Sequence, residues 1–122
     1  MAAVARVIDQ PAPGPVSGAV IDTEHLSRMT LGELSLQREV LALFDRQADM
    51  LLPRIRQGAP ATAAASAHTL KGSAVGIGAF KVARAVEEVE RARDAEIAAA
   101  VDTLATMLEE AKAEIARLLQ VA

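Results

Sequence analysis

The sequence predicts an all-α fold, an antiparallel up-and-down four-helix bundle with a short extra N-terminal helix. Hydrophobic residues make up 52% of the 122 residues, and they are chiefly Ala, Val and Leu, which favour helices. The few glycines and prolines are clustered between segments. Within the segments, apolar residues recur every three or four positions, as they do in amphipathic helices, and no strand candidate competes with them.

The chain divides into a predicted flexible tail over residues 1–21 and a helical domain over residues 22–122. Three of the five prolines and two glycines lie in the tail, which shows no sustained period. At the start of the domain, Thr23 is a candidate N-cap for a short helix over residues 24–29.

A long amphipathic helix is predicted over about residues 35–57, with Ser35 as its cap. Pro53 lies inside it. A proline there removes the hydrogen bond to the Asp49 carbonyl and clashes with the preceding turn, so we expect a kink or an early end near Leu52.

Three further helices complete the predicted bundle. The first covers residues 61–75, after a turn marked by Gly58 and Pro60. The second covers about residues 79–93 and the third about residues 95–120. In the second, Glu87 and Arg91 have the spacing of an ion pair. The apolar stripes expected to face the core comprise Phe80, Ala83, Val86 and Val89, then Ile97, Val101, Leu104, Leu108, Ala111, Ile115 and Leu118.

Composition excludes several functional classes. The net charge of −3, from 13 basic and 16 acidic residues without a basic stripe, argues against nucleic-acid binding. The absence of cysteine excludes disulfides and thiol nucleophiles and suits a reducing compartment, so a cytoplasmic location is expected.

Asp9 and nearby prolines interrupt the apolar start before a signal peptide could form. No apolar run is long enough for a membrane span.

One histidine stands apart on the helix predicted over residues 61–75. At about 100° per residue, His68 lies roughly 140° from the centre of the apolar stripe, so its ring should face solvent. Its neighbours one or two turns away, Ala61, Ala65 and Gly72, are too small to cover it. Gly72 lowers helix stability by about 1 kcal/mol relative to Ala in a helix interior, and the sequence shows no packing gain that offsets this loss. Close approach of another molecule to the helix backbone would explain a glycine at this position.

Lys71 lies one turn after His68 and flanks the same face. A neutral imidazole nitrogen can attack phosphorus near neutral pH, and phosphoryl transfer requires mainly positioning and charge stabilisation from the protein. Two unit charges about 4 Å apart interact by roughly 1 kcal/mol in water and about 4 kcal/mol at an effective dielectric near 20. By periodicity alone, however, an exposed histidine is usually a surface residue.

The segment from Ala67 to Ala74, AHTLKGSA, followed by Gly78, closely resembles the phosphoacceptor signature of Hpt domains. The family pattern is H-x-L-K-G-S/A on a helix of a four-helix bundle, with a glycine about ten residues after the histidine. The resemblance extends, through helix count and order, over roughly residues 22–120. It implies that His68 is the phosphoacceptor at Nε2, that Lys71 is the charge partner of the phosphoryl group, and that Gly72 provides clearance for the partner.

The resemblance also implies the partners. These are response-regulator receiver domains and a hybrid or partner histidine kinase, with Mg²⁺ and the acceptor aspartate supplied by the receiver and no intrinsic cofactor or metal in this chain. Leu26, Met29 and Leu41 are docking candidates by analogy with the family. Ser73 is directed away from His68 and is left out of the core site. The residue that orients the second ring nitrogen of His68 stays open.

Two other functional classes remain open: a helical adaptor that is never phosphorylated, and a phosphohistidine hydrolase. The combination of His68, Lys71 and Gly72 disfavours the adaptor, and the lack of a second acid or base near His68 in sequence disfavours the hydrolase. The chain has no Gly-rich phosphate loop, so it is not a complete kinase. A monomer is expected, because the helices can bury one another's apolar faces.

The remaining polar clusters have structural explanations. His25 lacks neighbours at ligand spacing other than Asp22 and Glu24, so no metal site is expected there. An acidic cluster interleaved with arginines is read as a solvated helix face; its members are Glu87, Glu88, Glu90, Asp94 and Glu96.

Overall fold

The computed structural model describes residues 19–120, which form five helices and, over that range, no strand. They are α1 (Thr23–Met29), α2 (Leu34–Gln57), α3 (Pro60–Gly76), α4 (Phe80–Arg91) and α5 (Glu96–Gln120). Each long helix packs against the next in sequence, and α2 also packs against α5. The short connections make sequential helices antiparallel, so the predicted four-helix bundle with a short leading helix is confirmed.

The core lies where the apolar stripes of the four long helices meet. The stripe that the helical period predicts for α3 is Ala63, Ala67, Leu70, Ala74 and Ile77, and all of it is buried except Ala63, which is half-buried. In α5 the stripe is buried from Val101 to Ile115, whereas Ile97 is exposed because it lies in the first turn, at the end of the bundle. The largest fully buried side chains are Phe44, Leu70, Leu104, Ile115, Val82 and Val86. Each contributes on the order of 1.5–3 kcal/mol of burial free energy.

Of the two outcomes expected at Pro53, the early end near Leu52 is wrong, because α2 continues to Gln57; the kink stays a prediction. Pro53 is exposed, while Leu51 and Ile55 on either side of it are buried. Burying these two side chains stabilises by about 1.5–3 kcal/mol each, enough to offset the roughly 3 kcal/mol cost of an interior proline. Tertiary packing therefore overrides the local break.

Both predicted N-caps are also wrong. The cap of α1 is Asp22, whose Oδ1 accepts a hydrogen bond from the His25 backbone N–H at 3.0 Å, and Thr23 is the first helical residue. Ser35 lies inside α2, whose N-cap Glu33 makes no side-chain capping bond. The residue that caps a helix is the one whose backbone turns into the helix, and that position depends on tertiary contacts as well as on residue type.

The leading helix covers one end of the bundle. The Asp22 backbone N–H donates to the Gly78 carbonyl at 3.0 Å, and Ile21 and Leu26 are buried in the core. Gly78 has φ +82°, and a Cβ there would lie 2.7 Å from the Asp22 carbonyl oxygen. Val20, within the predicted tail, also packs against the core. Residues 1–18 of the predicted tail lie outside the described residues.

A cluster of charged side chains ties α5 to α2. The Lys112 ammonium bonds the Asp45 carboxylate and lies 2.9 Å from Asp49 Oδ1. Burial opposes the charged form of Lys112, but the hydrogen bonds and negative charges of Asp45 and Asp49 outweigh it and raise its pKa above the ordinary value. The ion pair predicted between Glu87 and Arg91 is instead formed by Glu88 and Arg91, at 2.9 Å.

No helix between residues 19 and 120 is long and apolar enough to cross a membrane.

Candidate functional site

His68 lies in the middle of α3 with its side chain on the exposed face of the helix. Its orientation follows from the helical period, because Leu70 and Ala74 on the opposite face are completely buried. Among residues 19–120, no side chain or backbone group forms a hydrogen bond with the His68 ring. The ring is therefore open to an incoming molecule, as the sequence predicts.

The surface around His68 is bare. Ala61, Ala65 and Gly72 are exposed, and a Cβ added at Gly72 would meet no atom within 4 Å. The same holds at Gly76, one turn further along α3. Nothing in the packing of this bundle requires a glycine at position 72, which is the property that the sequence analysis attributed to close approach of a partner.

Lys71 is half-buried and forms an ion pair across the α3–α4 interface. Its Nζ lies 3.0 Å from Oε1 of Glu90, and the two side chains are 28% and 35% exposed. The charge pattern predicts a solvated helix face for Glu90 and does not connect this residue with the site. The two residues are 19 positions apart on different helices, so no local spacing signal could have paired them.

An apolar groove of about 280 Å³ lies beside α3, between α1 and α2. Ser73 and Gly76 line its α3 side, and Met29, Leu36 and Leu43 are exposed apolar residues of the opposite wall. Ser73 therefore faces the groove rather than His68, as predicted. A larger groove of about 390 Å³, whose lining includes Leu34 and Leu118, contains no residue of α3 and is separate from the histidine.

Two of the three docking candidates suggested by analogy are wrong. Leu26 and Leu41 are 2% and 3% exposed, because both belong to the buried core of the bundle. Met29 is 58% exposed and lines the groove beside α3.

His25 packs at the end of the bundle. Its ring lies edge-on to Phe80, with the centroids 5.1 Å apart and the planes at 69°. Its Nε2 atom is buried and has no hydrogen-bond partner between residues 19 and 120. No group of three or more His, Cys, Asp or Glu side chains in that part of the chain is placed to hold a metal ion. His25 is therefore a packing residue.

The sequence model of a family described as "Hpt domain" matches residues 37–120, which include His68, Lys71 and Gly72 and extend from within α2 to the end of α5. The chain belongs to the Hpt domain family. A comparison with curated proteins gives no match. Among solved structures, this Hpt domain is similar to the histidine phosphotransferase ShpA from Caulobacter crescentus, with a TM-score of 0.69 and 27% sequence identity. The alignment covers 84% of this chain and 92% of that one. Family and neighbour support a phosphotransfer role in two-component signalling.

Proposed function

We propose that this Hpt domain accepts a phosphoryl group on His68 from the aspartyl phosphate of one receiver domain and transfers it to the aspartate of another. The observation that carries the proposal is an exposed histidine, with no covering side chain, on a helix of an Hpt domain. The partners would be a response-regulator receiver and the receiver of a hybrid or partner histidine kinase. The proposed relay operates in the cytoplasm.

The chemistry is a substitution at phosphorus. The lone pair of the neutral imidazole, at Nε2, forms the N–P bond while the P–O bond to the aspartyl carboxylate breaks and its electron pair leaves with the carboxylate. The proton on the other ring nitrogen is then available for release to solvent. Transfer to the second receiver reverses these steps. Mg²⁺ bound by the receiver would neutralise phosphoryl charge, and the Lys71 ammonium would supply a further positive charge beside His68.

A receiver would dock on the surface of α3 between His68 and the apolar groove lined by Ser73 and Gly76. Gly72 and Gly76 lie between them and leave the helix backbone uncovered, so a receiver could approach closely. Met29 and Leu43 would then meet an apolar part of the receiver surface. One Hpt domain suffices for this arrangement, and we propose that it works as a monomer whose four long helices bury their apolar faces within one chain.

The deciding experiment compares wild type with His68→Gln after incubation with phosphorylated receivers. Wild type should acquire acid-labile, base-stable label, and His68→Gln should fold normally and acquire none, because an exposed position contributes little packing free energy. His25→Gln is the matched control, since it removes the other histidine of the chain and should retain labelling. Labelling of His68→Gln at the wild-type rate would refute the proposal. A wild-type chain that binds receivers but takes no label would indicate an adaptor.

A further inference from the structure

Lys71, one turn after the phosphoacceptor on α3, is paired with Glu90 of α4. The chain has three lysines, and each pairs with a carboxylate on a neighbouring long helix: Lys71 with Glu90, Lys81 with Glu110 and Lys112 with Asp45. Only Lys71 shares a helix with His68, one turn away. The Glu90 carboxylate, which binds the Lys71 ammonium, is therefore part of the environment of the His68 ring.

The Lys71 ammonium has two possible anionic partners. Residues three apart on a helix have Cβ atoms about 5–6 Å apart, so the flexible Lys71 side chain can reach a phosphoryl group on the His68 ring. In the unmodified protein the same ammonium is bonded to Glu90 at 3.0 Å. A phosphoryl group brings about 1.5–2 negative charges, which attract Lys71 and repel the single charge of Glu90. The two anions therefore compete for one cation.

We propose that Glu90 is a positioning residue for Lys71, holding its ammonium beside the unmodified His68 and ceding it to the phosphoryl group once His68 is loaded. The inference rests on the proposed function of His68. Its consequence is that Glu90 disfavours the loaded state, because it retains the Lys71 ammonium that the phosphoryl group would otherwise bind. A weaker hold on the phosphoryl group makes onward transfer to a second receiver easier.

The size of the effect follows from the exposure of the pair. Both side chains are about one third exposed, so solvent screens their interaction, and exposed ion pairs correspond to about 1.5-fold to fivefold changes in an equilibrium constant. Glu90→Gln should raise the ratio of phosphorylated to unmodified His68 by that factor. The matched control is Glu110→Gln, which removes the other Lys–Glu pair between helices. Its lysine, Lys81, lies nine residues before Glu90 on α4, roughly 13 Å along the helix.

The test uses the full chain and potassium phosphoramidate, a small chemical phosphoryl donor that requires no receiver. The ratio of labelled to unlabelled His68 at a fixed excess of donor is measured by intact mass spectrometry at neutral pH, with His68→Gln as the blank and melting curves to verify folding. We expect a higher ratio for Glu90→Gln and the wild-type ratio for Glu110→Gln. In a Lys71→Ala background, Glu90→Gln should lose most of its effect, because it acts through the ammonium. Glu90→Asp should remain close to wild type.

Several results would overturn the inference: a wild-type ratio for Glu90→Gln, an equal rise for Glu110→Gln, or an undiminished effect without Lys71. The last would indicate a general charge effect. If phosphoramidate labels the wild type as expected but no phosphorylated receiver does, the proposed relay function fails while the role of Glu90 stands. If phosphoramidate does not label wild-type His68 at all, both fail.

Discussion

Substitutions at Gly72 should change the stability of the domain and its phosphotransfer rate in opposite directions. A glycine in a helix interior is about 0.8–1 kcal/mol less favourable than alanine. The Cβ of an alanine at position 72 would meet no atom within 4 Å, so no clash reduces the gain. Gly72→Ala should therefore raise the free energy of unfolding by about 1 kcal/mol, which corresponds to roughly 4–8 °C in Tm for a domain of about 100 residues.

A larger, charged substitution at the same position should leave the fold intact and impair transfer. Glutamate is a good helix former, and the open space at position 72 accommodates it, so Gly72→Glu should melt at or above the wild-type temperature. Its carboxylate would lie one turn from His68, beside the incoming phosphoryl group. Repulsion of about 1 kcal/mol in water, or about 4 kcal/mol at an effective dielectric near 20, predicts transfer at least fivefold slower.

The assays are a melting curve and a phosphotransfer time course from a receiver, both on the same preparation. Gly72→Gln is the control that separates volume from charge, because glutamine matches glutamate in size and is neutral. If Gly72→Glu transfers as fast as wild type, the bare face around His68 is not where the receiver docks. If Gly72→Ala lowers Tm, the glycine is a packing residue of the bundle.

Three further predictions concern other parts of the bundle. Gly78→Ala should destabilise by about 2–4 kcal/mol in chemical denaturation, because its φ is +82° and the new Cβ would clash with the Asp22 carbonyl; an unchanged midpoint would contradict this. Lys71→Ala should slow transfer several-fold at low salt without abolishing it, and a rate equal to wild type would make Lys71 a surface residue. Lys112→Met should lower Tm at neutral pH. The folded-state pKa of Lys112 is raised, so the stability that its charged form contributes is fully present below about pH 10.5. That stability is lost as the pH rises through the folded-state pKa. The melting temperatures of wild type and Lys112→Met should therefore converge at alkaline pH. A constant difference would exclude the ion pair as the cause.

The sequence was sufficient for the helices and for the direction of His68. Periodicity identifies which face of a helix is buried, and residues such as Leu70 and Ala74 place the imidazole on the opposite face whatever the details of the bundle. Local rules were weaker at helix ends. The rule for Pro53 considers only the local cost of an interior proline and could not include the burial of Leu51 and Ile55, which offsets that cost.

Contacts between distant segments were not accessible from the sequence. The burial of Leu26 and Leu41 depends on how their helices pack into the core of the bundle, and the pairing of Lys71 with Glu90 depends on the register of α3 against α4. Both are set by packing of whole helices rather than by spacing within one segment. The predicted docking residues failed for this reason, while His68 and Gly72, defined by one helix alone, were placed correctly on its exposed face.

Gly72 and Gly78, the two glycines that match the family signature, have opposite relations to the fold. Gly78 is buried, has a positive φ and lies against Asp22, so the bundle requires a residue without a side chain there. Gly72 is exposed and has open space around it, so the bundle would be more stable with alanine. The open space at Gly72 is what the proposed docking of a receiver at this face would require. Substituting each position with alanine separately tests this difference: Gly78→Ala should destabilise the domain, and Gly72→Ala should stabilise it.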